Sequence, residues 1–252
     1  MKKLLLISLL LSSLLLYSCD ENVKKEYYPK SIVGTTIVMD STFDQEPYQA
    51  AVDVLNKYKP AVAKITDSII GYNNQLLAKH TNNALIGDFI SDVMIVEAER
   101  VFDTNVDISI INNGGIRSDL PEGEITLGNV FNISPFDNNL VLIKLKGKEI
   151  KDMFNTFTKD RKPSFGGATL RMYSEHNNSL YIGGQPVNDN KEYVTATIDF
   201  LLDGGDGFFD QNLVKDENTK YSSFLLRDAL ANYILNNSPI QYKSDNRLVI
   251  KY

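Results

Sequence analysis

The sequence contains very little of the side-chain chemistry on which disulfide-stabilised or metal-dependent proteins rely. Its 252 residues include one cysteine and two histidines. A single cysteine excludes a disulfide within the chain, so stability has to come from an ordinary apolar core. The chain also lacks G-x-S-x-G, P-loop and C-x-x-C motifs, and this argues against the chemistries that those motifs support.

Composition and charge narrow the class of protein further. Hydrophobic residues make up 43% of the chain and charged residues 23%, which is typical of a soluble globular protein. The net charge of -6 makes nucleic-acid polymers improbable partners. No internal repeat or low-complexity segment is visible, and the length fits one large domain or two small ones.

The amino terminus has the layout of a secretory leader. Met1-Lys2-Lys3 precedes a leucine-rich run over residues 4–16, which is too short to span a membrane. Ser18-Cys19 follows, and this arrangement resembles the lipobox of bacterial lipoproteins, although Tyr17 is unusual within it. A core cysteine is the alternative, and the position of Cys19 argues strongly against it.

From this resemblance we expect residues 1–19 to be a signal peptide with its lipobox, Cys19 to carry acyl chains and residues 20–45 to be a solvated tether. The protein would then be exported and anchored to a membrane, on the periplasmic or the cell-surface face. The acidic residues directly after Cys19 resemble the surface-export signals of Bacteroidetes lipoproteins.

The hydrophobic pattern of the remaining chain predicts an α+β domain with helices outside mixed sheets. Apolar residues between Pro47 and Ile70 recur at helical spacing, and Pro60 predicts a break into two helical pieces. An amphipathic helix over 83–101 should cover a sheet. A further helix, capped by Ser222 or Ser223, should run through Asn236. The other predicted elements are strands over 106–111, 140–145, 168–173, 193–198 and 247–251, a helix over 148–157, and a hairpin turning at 183–184.

Three loops at strand ends carry unusual combinations of residues: Asn112 to Arg117, Ile133 to Asn138 and Phe200 to Gly207. In the first loop, two glycines allow backbone N–H groups and the Arg117 guanidinium to converge on an anion or a polar ring edge. Taken alone, a tight turn with a solvent-facing arginine explains that loop equally well.

Together, the three loops resemble the C-terminal, substrate-binding domain of the 5'-nucleotidase family. The motifs are N-x-G-G-I-R at 112–117, P-F-x-N at 135–138 and D-F-x-x-x-G-G-D-G at 199–207. The resemblance assigns residues 46–252 to one such domain and implies its layered α/β/β/α architecture.

By position, the resemblance implies that Phe136 and Phe200 sandwich a nucleoside base, whereas core packing is the usual role of a phenylalanine. Asp206 would accept hydrogen bonds from ribose hydroxyls, with an ordinary turn aspartate as the alternative. Arg117 would lie on the phosphate side, and Asn112 and Asn138 near the base.

The sequence also departs from the family pattern. Family members usually have one or two arginines ahead of the helix that begins near residue 83, whereas here Lys79 and His80 supply the only positive charge. A lysine ammonium is a point charge, whereas an arginine guanidinium presents two parallel N–H donors to a phosphate. Phosphate binding should therefore be weaker here than in family members that have the arginines. Gly166 and Ala168 also stand where the family tends to have polar residues.

The metal-binding, catalytic domain of the family, with its D-x-H and G-N-H-D/E motifs, has no counterpart in this sequence. The two histidines are too few for such a two-metal site. His80 is at best a substrate-side contact, and His176 is interpreted as an exposed residue of a hairpin region. We therefore expect no cofactor and no catalytic residue in this chain, and divalent metals only in a partner.

Three functions remain open from the sequence. The favoured one is the nucleotide-binding half of a split 5'-nucleotidase, which presents a nucleoside 5'-phosphate to a separate metallophosphoesterase subunit for hydrolysis. The second is a non-catalytic nucleoside-binding lipoprotein for uptake. The third, an autonomous hydrolase with an unrecognised site, is the least supported because no set of ligands or nucleophiles is visible.

Overall fold

A computed structural model describes residues 31, 33–37, 48–79, 85–158, 160–174 and 177–251. Contacts divide the chain into Met1–Gln49 and a compact unit, Ala50–Tyr252. The predicted leader, Cys19 and most of the predicted tether lie outside the described residues, as do His80 and His176. In the described part of the chain, every helix is too short or too polar to cross a membrane.

Helices and strands are interspersed along the compact unit. The helices are α1 (Gln49–Thr66), α2 (Leu85–Phe102), α3 (Leu127–Ile133), α4 (Gly147–Asn155), α5 (Asp199–Leu202) and α6 (Leu226–Asn237). The strands are β1 (Ile69–Asn73), β2 (Ile108–Ile111), β3 (Gly123–Thr126), β4 (Asn139–Lys146), β5 (Ser164–Gly166), β6 (Ala168–Ser174), β7 (Asn177–Ile182), β8 (Gln185–Pro186), β9 (Glu192–Ile198), β10 (Thr219–Leu225) and β11 (Leu248–Ile250). Short 3₁₀ turns cover Gly205–Gly207 and Gln211–Leu213.

The central sheet has five strands in the order β10-β4-β9-β2-β5. Strands β2 and β9 run parallel, and every other neighbouring pair in this sheet is antiparallel. All four residues of β2 are buried, as expected for an inner strand that is covered on both faces. Helix α2 packs against this sheet and against α6.

A second, four-stranded sheet has the order β11-β6-β7-β8, and β1 pairs separately with β3. Leu170 and Met172 of β6 belong to the same buried apolar cluster as Ile110 of β2 and Phe89 of α2. One core therefore joins both sheets and their helices. The predicted α+β class, with mixed sheets and outer helices, is confirmed.

Helix α1 is continuous through Pro60, so the predicted break there is wrong. Proline removes the N–H that would donate to the carbonyl of Asn56. Because α1 buries none of its residues, solvent can satisfy that carbonyl and no tightly packed neighbour meets the ring. The predicted helical stripe also ends early, since Ile69 begins β1.

Ser222 and Ser223 do not cap a helix, which is a second correction. Both lie in β10, and the Ser222 hydroxyl donates to the carbonyl of Leu140 in the neighbouring strand β4 at 2.7 Å. Helix α6 begins at Leu226 without a side-chain cap. The short elements β1, β3, α3 and β5 were not predicted, because runs of three to seven residues give little periodicity.

A network of ion pairs around the buried Arg247 guanidinium joins the carboxyl-terminal segment to α2 and β5. The Arg247 guanidinium is 5% exposed and donates to both carboxylate oxygens of Asp92 at 2.8 and 2.7 Å. It also donates to the Phe165 carbonyl at 2.8 Å, and the Tyr242 hydroxyl donates to Asp92 at 2.6 Å. One turn earlier on α2, burial raises the pKa of Asp88 to about 6.

Replacing Asp92 should destabilise the domain strongly. Asp92→Ala leaves the buried guanidinium with fewer partners, so we expect the free energy of unfolding to fall by about 2–3 kcal/mol in urea denaturation. The control is Asp152→Ala, which removes an ion pair with Lys148 whose side chains are 63% and 70% exposed. That variant should unfold like the wild type. Equal midpoints for the two variants would contradict a structural role for the network.

Candidate functional site

The three loops singled out in the sequence meet at one edge of the central sheet. Because β2 and β9 are parallel neighbours, their carboxyl ends face the same edge, where Asn112 follows β2 and Phe200 lies just after β9. Strand β4 runs antiparallel to β9, with Leu140 opposite Ile198. Asn138, immediately before β4, therefore reaches the same edge.

A cavity of about 290 Å³ opens between these loops. This is close to the lower end of the range for small-molecule sites. Its lining residues are Asn112, Gly114, Gly115, Phe136, Asn138, Phe200 and Asp206. Five of the six predicted binding residues thus line one cavity, although they are spread over almost a hundred positions of the chain. Their roles in binding stay predictions.

The two aromatic residues of the cavity are open to solvent. Phe136 is 45% exposed and Phe200 43% exposed, whereas Phe208 and Phe209, a few residues further along, are 8% and 5% exposed. Core packing therefore accounts for Phe208 and Phe209 but not for Phe136 and Phe200. Exposed rings in a cavity wall offer faces on which a flat ligand can stack.

Gly205 holds the Phe200 ring at its present position by having no side chain. A Cβ at residue 205 would lie 2.4 Å from the Cε1 atom of Phe200 and 2.5 Å from its carbonyl oxygen. Both separations are far shorter than van der Waals contact, so any other residue at 205 would displace the ring and shift the backbone at Phe200. The glycine is required for this close approach.

The Asp206 carboxylate is oriented by Asn112. The side-chain amide of Asn112 donates to Asp206 Oδ2 at 2.7 Å, and Asn112 itself is buried. Within the part of the chain that the structure describes, Asp206 Oδ1 accepts no hydrogen bond, so it is open to a donor from a ligand. The buried amide oxygen of Asn112 likewise has no protein partner there.

Arg117, the predicted phosphate-side residue, lies beside the cavity and is not among its lining residues. Arg117 is exposed, donates from Nη1 to the Gly114 carbonyl at 3.0 Å, and places its guanidinium 6.0 Å from the Phe136 ring centroid. The backbone N–H of Lys79 donates to Asp119 at 2.6 Å, which ties the Lys79 segment to the same loop. The sixth predicted residue, Arg117, is thus adjacent to two lining residues.

The donor set at the cavity does not fit a metal centre. No group of three or more His, Cys, Asp or Glu side chains that could hold an ion occurs within residues 48–79, 85–158, 160–174 and 177–251. Asp206 is bonded to an amide and, among the described residues, is the only carboxylate in the lining. What these residues can do chemically is stack, donate and accept hydrogen bonds, and attract an anion.

These features define a ligand-binding α+β domain with an aromatic cleft at a sheet edge. A family model of the 5'-nucleotidase C-terminal domain matches residues 61–211, which is more than half of the chain, and the chain belongs to this family.

The chain is also similar to curated proteins, and it shares its fold with a solved structure. The trifunctional nucleotide phosphoesterase protein YfkN of Bacillus subtilis (strain 168) is 28% identical over 203 residues, covering 69% of this chain and 13% of its own length. Protein UshA of Escherichia coli (strain K12) is 29% identical over 172 residues, covering 64% and 31%. The 5'-nucleotidase precursor from Thermus thermophilus superposes with a TM-score of 0.68 at 21% identity, covering 81% and 43%. The chain spans less than half the length of each.

Gly205→Ala should weaken binding of a nucleoside while leaving the domain folded. The added methyl group has to displace the Phe200 ring, and a displaced ring loses part of its stacking contact. We expect the adenosine Kd to rise about tenfold, in keeping with the contribution of one stacked aromatic ring. Isothermal titration calorimetry would measure this, and circular dichroism would establish that the variant is folded. An unchanged Kd would mean that binding does not depend on this ring.

Proposed function

We propose that this domain captures a nucleoside 5'-phosphate and presents it to a separate metallophosphoesterase subunit, which hydrolyses the phosphate ester. The observation that carries the proposal is the cavity between Phe136 and Phe200 with Asp206 at its wall. Two exposed rings and one oriented carboxylate match the parts of a nucleoside, which has a flat base and a sugar diol.

Each part of the ligand has a matching group in the cavity. The base stacks between Phe136 and Phe200, with each ring contributing about 1–3 kcal/mol. In this proposal, the amides of Asn112 and Asn138, which line the cavity, hydrogen-bond the edge of the base. Asp206 accepts hydrogen bonds from the ribose hydroxyls through its open Oδ1, and an ionised acceptor makes such bonds stronger. Arg117, next to Phe136, attracts the phosphate.

The contribution of this subunit to catalysis is proximity and orientation. A base and ribose held at two points fix the direction in which the 5'-phosphate projects, so the phosphate is delivered in a reactive position. The divalent metals belong to the partner in this proposal and supply Lewis-acid and nucleophile chemistry there. This chain holds no cofactor and contributes no catalytic residue.

An exposed apolar stripe on α1 supports the existence of a partner. Leu55, Tyr58, Val62 and Ile65 follow one another at alternating three- and four-residue spacing, and each is more than half exposed. Contiguous apolar surface of this kind is typical of interaction sites. Lys57, Lys59 and Lys64 accompany the stripe, so an apolar surface flanked by acidic residues would be complementary to it.

Membrane anchoring completes the proposal. Acylation of Cys19 after cleavage of the leader that precedes it would hold the domain on a membrane through the tether of residues 20–45. The subunit would then act on nucleotides in the cell envelope as part of nucleotide catabolism. Metabolic labelling with a fatty acid should mark the wild-type protein and not Cys19→Ser.

The binding half of the proposal is tested by calorimetry on the chain without residues 1–19. Adenosine and AMP should both bind, and Phe200→Ala should weaken both by at least about tenfold, because the stacked ring is lost. Tyr173→Ala is the matched control, since it removes another exposed aromatic residue from β6, away from the cavity. Loss of binding in both variants, or in neither, would count against the stacking site.

The partner half is tested by reconstitution. Mixing this chain with metallophosphoesterase chains of the same organism should increase AMP hydrolysis, and Leu55→Asp/Val62→Asp should abolish the increase because it places charges in the apolar stripe. Adenosine binding by the double variant should be unchanged. Leu235→Asp on α6, also an exposed leucine, is the control and should behave like the wild type. If no such chain gains activity, the split-enzyme proposal fails.

A second function, a nucleoside-binding lipoprotein for uptake, is favoured by one observation. Arg117 does not line the cavity, and its guanidinium is directed to the Gly114 carbonyl and the Phe136 ring. If phosphate contributes little, adenosine should bind as tightly as AMP, and no partner should confer hydrolysis. Equal Kd values for the two ligands would therefore favour uptake over hydrolysis.

A further inference from the structure

The loop that connects α4 to β5 ends at the sheet edge where the cavity lies. Strand β5 runs antiparallel to β2, with Ser164 opposite Ile111. The residues that precede Ser164 therefore lie at the same sheet edge as the residues that follow Ile111. This brings Arg161 next to the Asp206 turn, which is 45 positions away in the chain.

Arg161 forms a hydrogen bond with the backbone of the turn that contains Asp206. Its Nη2 donates to the Asp206 carbonyl at 2.7 Å and lies 3.5 Å from the Gly207 carbonyl. The guanidinium also covers the Phe208 ring, with its Cζ 5.3 Å from the ring centroid. The Phe208 ring in turn meets Phe157 edge to face at 5.6 Å. The loop before β5 thus contacts three consecutive residues of the turn.

The turn over residues 204–207, to which Arg161 is hydrogen-bonded, has an unfavourable backbone conformation. Asp206 has φ 54°, between Gly204 with φ 98° and Gly207 with φ 61°. A left-handed conformation is easy for glycine, but it costs a residue with a Cβ of the order of 1 kcal/mol. The turn has one internal backbone hydrogen bond, from the Gly207 N–H to the Gly204 carbonyl at 3.2 Å. External contacts are therefore needed to maintain it.

We propose that Arg161 is a positioning residue that sets how strongly the site prefers ribose over sugars that lack the 2'- and 3'-hydroxyls. The proposal rests on the proposed function, in which Asp206 accepts the ribose hydroxyls. Asp206 is held at two points: Asn112 bonds its side chain and Arg161 bonds its main chain. Arg161 does not line the cavity, so it acts on the ligand only through Asp206.

The two bonds have different consequences for the carboxylate. Asn112 fixes the direction of one carboxylate oxygen. Without the hydrogen bond from Arg161, the φ of Asp206 can relax toward negative values. Such a relaxation would swing the Cα–Cβ bond and move Oδ1 away from the sugar. The base would be unaffected, because Arg161 lies over Phe208 and not over Phe136 or Phe200. Loss of Arg161 should therefore weaken the binding of the ribose hydroxyls and leave the binding of the base unchanged.

The test compares adenosine with 2',3'-dideoxyadenosine, which keeps the base and lacks both hydroxyls. The wild type should bind adenosine at least about tenfold more tightly, as expected for hydrogen bonds to a charged group. In Arg161→Ala most of this preference should disappear, whereas the Kd of dideoxyadenosine should stay within about twofold of the wild-type value. Arg161→Lys, which can still donate one hydrogen bond, should restore part of the preference.

Arg171→Ala is the matched control. Arg171 is also an exposed arginine over an aromatic ring, 5.2 Å from Tyr181, but it lies on β6 in the other sheet. This variant should keep the wild-type preference. The proposal is overturned if Arg161→Ala keeps the preference, or if it weakens both ligands by the same factor, as a merely structural role would.

The wild-type titrations separate this inference from the proposed function. If the wild type binds neither ligand, the nucleoside site itself is wrong and the inference falls with it. If the wild type binds both ligands equally, Asp206 does not read the hydroxyls and the role of Arg161 is overturned. If the wild type shows the preference and only Arg161→Ala loses it, both proposals gain support.

Discussion

The parallel pairing of β2 and β9 is the constraint on which the candidate site depends. In an otherwise antiparallel sheet, this one pair directs two carboxyl ends to a common edge. Every loop that lines the cavity either follows one of these strands or belongs to a strand that pairs with β9. The neighbours β4 and β5 run in the opposite direction, and for that reason their preceding loops, which carry Asn138 and Arg161, come to the same edge.

The electrostatics of the edge are built from few charges, each with a defined partner. Asp206 is bonded by the Asn112 amide, and Arg117 bonds a backbone carbonyl beside an aromatic ring. The partly buried ion pair between Arg247 and Asp92 stabilises the fold instead, because it joins α2 to the carboxyl-terminal segment and to β5. Charged residues thus have two separate roles: the Arg247 network stabilises the fold, and Asp206 and Arg117 are the groups that the proposed function assigns to the ligand.

The sequence predicted much of this arrangement, for physical reasons that differ between elements. Strands such as β4 and β9 were recognised because their apolar, β-branched runs are long enough to show periodicity, and the motifs at their ends placed Phe136, Phe200 and Asp206 in one region. Pro60 and Ser222 were misread because local propensity was overridden: α1 has no tightly packed partner, and Ser222 bonds across a strand pair. The contact of Arg161 with Asp206 has no local signal, because it joins loops distant in sequence.

The two aromatic residues of the cavity come from neighbouring strands at the same edge of the central sheet, and under the proposed function this has a consequence for the shape of the ligand. Phe136 precedes β4 and Phe200 follows β9, and backbone hydrogen bonds hold neighbouring strands about 4.8 Å apart. The backbone segments that carry the two rings are therefore positioned by the pairing of these strands, and the close approach of Gly205 confines the Phe200 ring further. Under the proposed function, a flat base would be selected by the backbone of this edge as much as by its side chains, and such a preference can persist while the surrounding sequence drifts.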